Sequence, residues 1–150
     1  SIKEFKCGIE AIKEFKKPYL IGIHISEGTN LPSGEKISAI RDIIDDQLLG
    51  IMLSCVSPEN FEINLKELKN LNVPFGFKVN AFVTTKPKDG YTSTFTKSNG
   101  NPNEFLGQRK DLTPQKVGEL ARNFHNNGAT IIGGCCETRP SHIEAMANTI

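Results

Sequence analysis

The chain has 150 residues, 18 basic against 17 acidic side chains and a formal charge of +1. That balance excludes the basic face selected by nucleic acid or an anionic membrane, and no apolar run reaches the roughly 20 residues of a membrane span. With 37% hydrophobic residues in recurring runs and no secretory leader pattern, the expectation is a globular, cytoplasmic protein.

The chain opens at Ser1, directly in helical periodicity, which suggests a processed chain or a piece of something larger. Ile2, Phe5, Ile9, Ile12 and Phe15 recur at steps of three and four and predict an amphipathic helix that Pro18 ends. Tyr19 to Ile25 reads as an apolar strand. Ile37, Ile40, Ile43, Ile44 and Leu48 again fit helical spacing, so a second helix is expected there. Leu49 to Cys55 is a further buried strand. Ser57-Pro58 then starts a helix, with a capping hydroxyl and proline at its first position, and Phe61, Leu65, Leu68 and Leu71 form its stripe.

Pro74 to Val83 predicts the third strand, carrying Asn80 near its end. The polar stretch 84–112 exceeds the usual connection of about 2–6 residues and reads either as a binding loop or as a surface insertion with solvated lysines. Thr113-Pro114 starts a helix with Val117, Leu120, Ala121 and Phe124 on one face and Gly128 closing it. Ala129 to Gly134 is the fourth strand, and Pro140 begins the last helix. Strands apolar along their whole length belong in a parallel sheet covered by helices. Four strand–helix units make either a small open sheet or half of a barrel.

Of four cysteines, Cys7 lies inside the first helix and needs no function. Cys55, Cys135 and Cys136 stand at the C-terminal ends of two strands, the edge where parallel α/β proteins build their sites. Neighbouring strand residues point to opposite faces, so Cys135 and Cys136 converge only if the backbone bends, which Gly133-Gly134 would permit. Three thiolates with one open position describe a catalytic zinc site, whereas a structural one takes four protein ligands. Such a zinc carries a net charge of about −1, a poor activator of water but suited to binding a thiol as a nucleophile. Spacing alone leaves buried structural cysteines as the competing reading.

The combination is more specific than its parts. Gly133-Gly134-Cys135-Cys136 with Thr138, Pro140, His142 and Ile143 resembles the Gly-Gly-Cys-Cys-Gly-Thr-Thr-Pro-x-His-Ile signature of the homocysteine S-methyltransferase family. Ser54-Cys55-Val56-Ser57-Pro58 resembles its Gly-x-Asn-Cys-x-Ser-Pro segment. The resemblance covers essentially the whole chain and implies the C-terminal half of a (β/α)8 TIM barrel, spanning residues 1–150. It also implies a zinc-dependent methyltransferase with Cys55, Cys135 and Cys136 as metal ligands. The thiolate of homocysteine would attack a methyl donor, unidentified from these residues, to give methionine. Ser54, Glu137 and Arg139 depart from the pattern, replacing an Asn, a Gly and a Thr.

Asn80 and Glu137 are the candidate substrate-binding residues: Asn80 either contacts substrate polar groups or serves a turn, and Glu137 lies either near the substrate ammonium or out toward solvent. His24 is expected as a satisfied core histidine, His142 at the start of the last helix, and His125 against a helix C-terminus. Because the family's first four strands have no counterpart here, the chain should self-associate or pair with a missing N-terminal half. Two other readings remain: a non-catalytic zinc-binding remnant, and an open α/β binding domain with buried cysteines.

Overall fold

Each helix begins where the sequence supplies a partner for its first N–H groups. In the computed structural model, which describes residues 1–25, 27–85 and 106–150, Ser1 caps α1 (Ile2–Lys13), its Oγ accepting from the Glu4 N–H at 3.3 Å. Ser57 and Thr113 cap α2 (Pro58–Asn70) and α3 (Pro114–Asn126) in the same way, each with Pro at the first position. Gly128, at φ +99°, ends α3 as expected. No hydroxyl caps α4 (Pro140–Thr149); instead the Arg139 N–H donates to His142 Nδ1 at 3.0 Å. Since Nδ1 accepts, the buried ring carries its proton on Nε2, which donates to the Leu112 carbonyl at 3.0 Å. His142 thus has its expected place and also ties α4 to the segment entering α3.

The four strands, β1 (Tyr19–Ile23), β2 (Leu48–Val56), β3 (Phe75–Val79) and β4 (Ile131–Gly134), form one parallel sheet in that order. The parallel (β/α) arrangement expected from the sequence is therefore present. One helix is not: Ile37–Asp42 is a short 3-10 helix, and the chain enters β2 at Leu48. Ile37 and Ile40, at a spacing of three, are fully buried, while Ile43 and Ile44 are only half-buried. A 3-10 turn brings i and i+3 onto one face and so buries that pair without a longer helix.

Ile21, Ile23, Ile51, Leu53, Phe75, Phe77 and Val79 belong to the core shared with the helices. At its centre Phe61 of α2, Phe77 of β3 and Phe124 of α3 pack with ring centroids 4.8 to 5.3 Å apart, in tilted and edge-on contacts. The alternate strand residues, Leu20, Met52 and Lys78, are exposed or half-exposed. One face of the sheet is thus covered and the other open. Gly76 lets β3 and β4 approach: a Cβ there would lie 1.7 Å from the Ile131 carbonyl oxygen.

The long connection after β3 falls mostly outside the described residues. Its two ends pair as an antiparallel stem. Val83 and Thr84 donate their N–H groups to Gly107 and Leu106, Arg109 donates to Ala81 at 2.8 Å, and Phe82 opposes Gln108.

Candidate metal centre

Cys55 is out of line with its strand. The pairing of β2 with β3 slips between Ser54 and Val56, and Cys55 takes a φ of +56°. Such a bulge re-aims one side chain at a strand end. Asn80, fully buried one residue past β3, holds it. The Asn80 side-chain nitrogen donates to the Cys55 carbonyl at 2.6 Å and lies 3.7 Å from the Cys55 Sγ. Its Oδ1 accepts from the Phe82 N–H at 3.1 Å, and its own N–H donates to Val56. The side-chain oxygen and nitrogen of Asn80 and its backbone N–H are thereby engaged within the chain.

Cys135 and Cys136 come together through a turn rather than through a bend at the glycine pair. β4 runs straight through Gly133 and Gly134. The Cys135 N–H still donates to Val79 at 2.7 Å, after which the Thr138 N–H closes back on the Cys135 carbonyl. Glu137 occupies the third position of this turn at φ +60°, a place that favours glycine. The turn removes Cys136 from strand geometry, so the opposite-face rule no longer separates the two thiols. Ala81 fixes Cys136 from the other side, its N–H donating to the Cys136 carbonyl at 3.0 Å.

The Sγ atoms of Cys55, Cys135 and Cys136 all lie within 4.8 Å of one another. Cys55 and Cys136 are 3.8 Å apart, and Cys135 and Cys136 4.0 Å. A tetrahedral metal bonded to sulfur at about 2.3 Å requires sulfur–sulfur edges of about 3.8 Å. Two edges are therefore nearly at the required length. All three residues are half-buried. Burial, and then the neighbouring Cys135 and Cys136, push the Cys55 thiol up to about 12. Burial, and then Cys135, raise Cys136 as well. Without a cation Cys55 and Cys136 thus favour their protons, and a divalent metal would replace them and reverse that preference.

Cys7 is exposed on α1 and is not part of the cluster. His24, expected in the core, is exposed on the open face, its Nδ1 3.2 Å from the Ser54 carbonyl. The strand alternation that buries Ile23 and Ile25 turns His24 away from the helices. Glu137 follows Cys136 directly and is half-buried, and its carboxylate is not part of the thiol cluster. The sequence reading missed Arg109, which joins Glu59 and Asp111 across the site's flank at 2.8 and 2.6 Å. Its nearest signal was Ser57-Pro58-Glu59, an acidic first turn next to a cysteine segment.

A family model described as Homocysteine S-methyltransferase matches residues 1–150. The chain is 26% identical over 153 residues to Homocysteine S-methyltransferase YbgG of Bacillus subtilis, covering 97% of this chain and 42% of that protein. It is 25% identical to Homocysteine S-methyltransferase 1 of Zea mays, covering 98% of this chain and 43% of that one. The metallated form of the homocysteine methyltransferase MmuM from Escherichia coli superposes with a TM-score of 0.69 at 16% identity, covering 99% of this chain and 41% of that structure. The chain thus spans about two fifths of the length of these relatives.

Proposed function

This chain belongs to the homocysteine S-methyltransferase family, and on that premise we propose that residues 1–150 are the metal-holding half of an enzyme that methylates the thiol of homocysteine to give methionine. The observation that carries the proposal is the cluster of three thiol sulfurs, two of whose edges are near the tetrahedral length. We read Cys55, Cys135 and Cys136 as three ligands of a zinc ion whose fourth position is open to substrate. An ion held by these three residues would supply the charge that favours a substrate thiol as thiolate. That sulfur could take a methyl group from an activated donor, the demethylated donor leaving with the bonding electron pair.

The residues of the chain do the positioning. The bulge at Cys55 and the turn at Glu137 aim the three sulfurs at one point, and Asn80 serves the substrate through the ligand it holds. Glu137, the carboxylate nearest in sequence to the cysteine pair, faces the ammonium of the amino-acid substrate in this reading. Its one negative charge complements that cation at close range. The methyl donor, a small molecule, would need to lie in line with the substrate sulfur for the transfer. No described helix is long and apolar enough to cross a membrane, in keeping with a cytoplasmic enzyme of methionine synthesis.

The open sheet face favours a companion reading in which the chain holds metal but needs the remaining barrel half for turnover. Zinc per chain, measured by atomic emission after metal loading and dialysis, tests the site. A value near one that Cys55→Ser abolishes supports it, and a value near zero in folded protein sinks it. Methyl transfer from candidate donors to homocysteine, assayed with and without an N-terminal half from a relative, then separates the two readings.

A further inference from the structure

The pieces carrying Cys55 and Cys136 are joined not only by the sheet. Cys55 and Val56 run directly into Ser57, Pro58 and Glu59 at the start of α2. Cys136 hangs on Ala81 through the Ala81 N–H, and Ala81 in turn accepts the Arg109 N–H at 2.8 Å. The Arg109 side chain closes the gap between these two pieces. Its Nη1 meets Glu59 Oε2 at 2.8 Å, while Nε and Nη2 grip both oxygens of Asp111 at 3.2 and 2.6 Å. A hydrogen-bonded ring results: Val56 to Glu59 along the chain, Glu59 to Arg109 by the ion pair, Arg109 to Ala81 by backbone, and Asn80 back to Val56 at 2.9 Å.

We propose that Arg109 is a positioning residue of the cysteine centre, holding the Cys55 and Cys136 segments at the spacing a metal requires. The proposal rests on the metal-holding reading given above. Isolated surface ion pairs contribute little, but here a two-pronged grip on Asp111 orients the guanidinium, so that the Glu59 contact costs little further ordering. The Arg109 side chain is 21% exposed, against 62% for Glu59 and 64% for Asp111. The arginine is the anchored member, and the carboxylates come to it. Lysine offers a point charge without the fork and should replace it only in part.

The test is metal affinity by competition with a chromophoric chelator, using zinc and the 150-residue chain in Arg109→Gln, Arg109→Lys and Glu59→Gln forms. Removal of an outer support of this kind costs about tenfold or more in affinity. The expected result is that loss for Arg109→Gln, a smaller one for Glu59→Gln, and partial recovery in Arg109→Lys. High salt should weaken wild-type binding more than that of Arg109→Gln, because only wild type has the ion pairs to screen. Equal affinities in wild type and Arg109→Gln overturn the proposal. If wild type itself binds no zinc, the metal-holding reading fails, and the brace is judged by amide exchange in metal-free protein. Arg109→Gln should then speed exchange at Ala81 and Asn80 while leaving α3 and α4 unchanged. Unaltered exchange at those two amides overturns it too.

Discussion

Two backbone positions decide the chemistry at the residue scale, because both take the left-handed region that L-residues avoid. Cys55 accepts it to point its sulfur out of the pleat, and Asn80 holds it there. Glu137 accepts it to bring Cys136 round, in the position where the family signature has glycine. Relief of strain at Glu137, less the extra freedom of a glycine when unfolded, predicts that Glu137→Gly stabilises the chain by about 0.5–1 kcal/mol. Urea midpoints check it; the same variant should show a raised KM for homocysteine if the carboxylate meets the substrate ammonium. The thiols make a second prediction. The Cys55 pKa is raised in the folded state, so the protein retains a proton that the unfolded chain gives up. Stability from that group is complete below its ordinary value of 9.0 and is lost as pH rises toward 12. Metal-free protein should therefore unfold at lower urea as pH climbs through this window, and Cys55→Ser should flatten the decline. A flat wild-type profile would mean that the thiol is already ionised.

At the scale of elements, the helices were legible because caps and stripes agreed. Ser57-Pro58 and Thr113-Pro114 mark starts that the structure reproduces to the residue. The span after Gly34 misled because Ile37, Ile40, Ile43, Ile44 and Leu48 satisfy helical periodicity, although only the first pair is fully buried and Leu48 opens β2. The site was half legible. Strand ends and the Gly-Gly-Cys-Cys run placed the three cysteines at one edge, but a bulge and a turn, invisible to period counting, make them converge. Arg109 was out of reach, since its partner Glu59 lies 50 residues away. Strand packing makes its own prediction. A methyl group at Gly76 would strike the backbone of β4, which cannot give way without parting the strands. Gly76→Ala should cost about 3 kcal/mol, read as a fall in the urea midpoint and weakened zinc retention. Wild-type stability in that variant would mean that β4 is held chiefly by α4.

For the whole molecule, the open sheet face is the governing fact. Leu20, at 46% exposed, and the half-exposed Met52 and Ile131 lie beside two unpaired sheet edges among the described residues. Exposed apolar surface and open edges of this kind favour association, and the expectation is pairing with a second copy or a complementary half. Sedimentation velocity should show concentration-dependent association of the chain, reduced by Leu20→Glu, which sets a charge on that face. A single monomeric species at every concentration would show that the face tolerates water. The stem formed by residues 81–84 and 106–109 carries a different consequence. Because the chain leaves and returns through paired backbone, Ala81 holds Cys136 from a segment that Arg109 anchors on its other side. Each doubling of a flexible insert costs about 0.6 kcal/mol of closure entropy. A flexible reporter peptide spliced in beyond the stem is therefore expected to leave the geometry of the three sulfurs as it is, read as unchanged zinc retention.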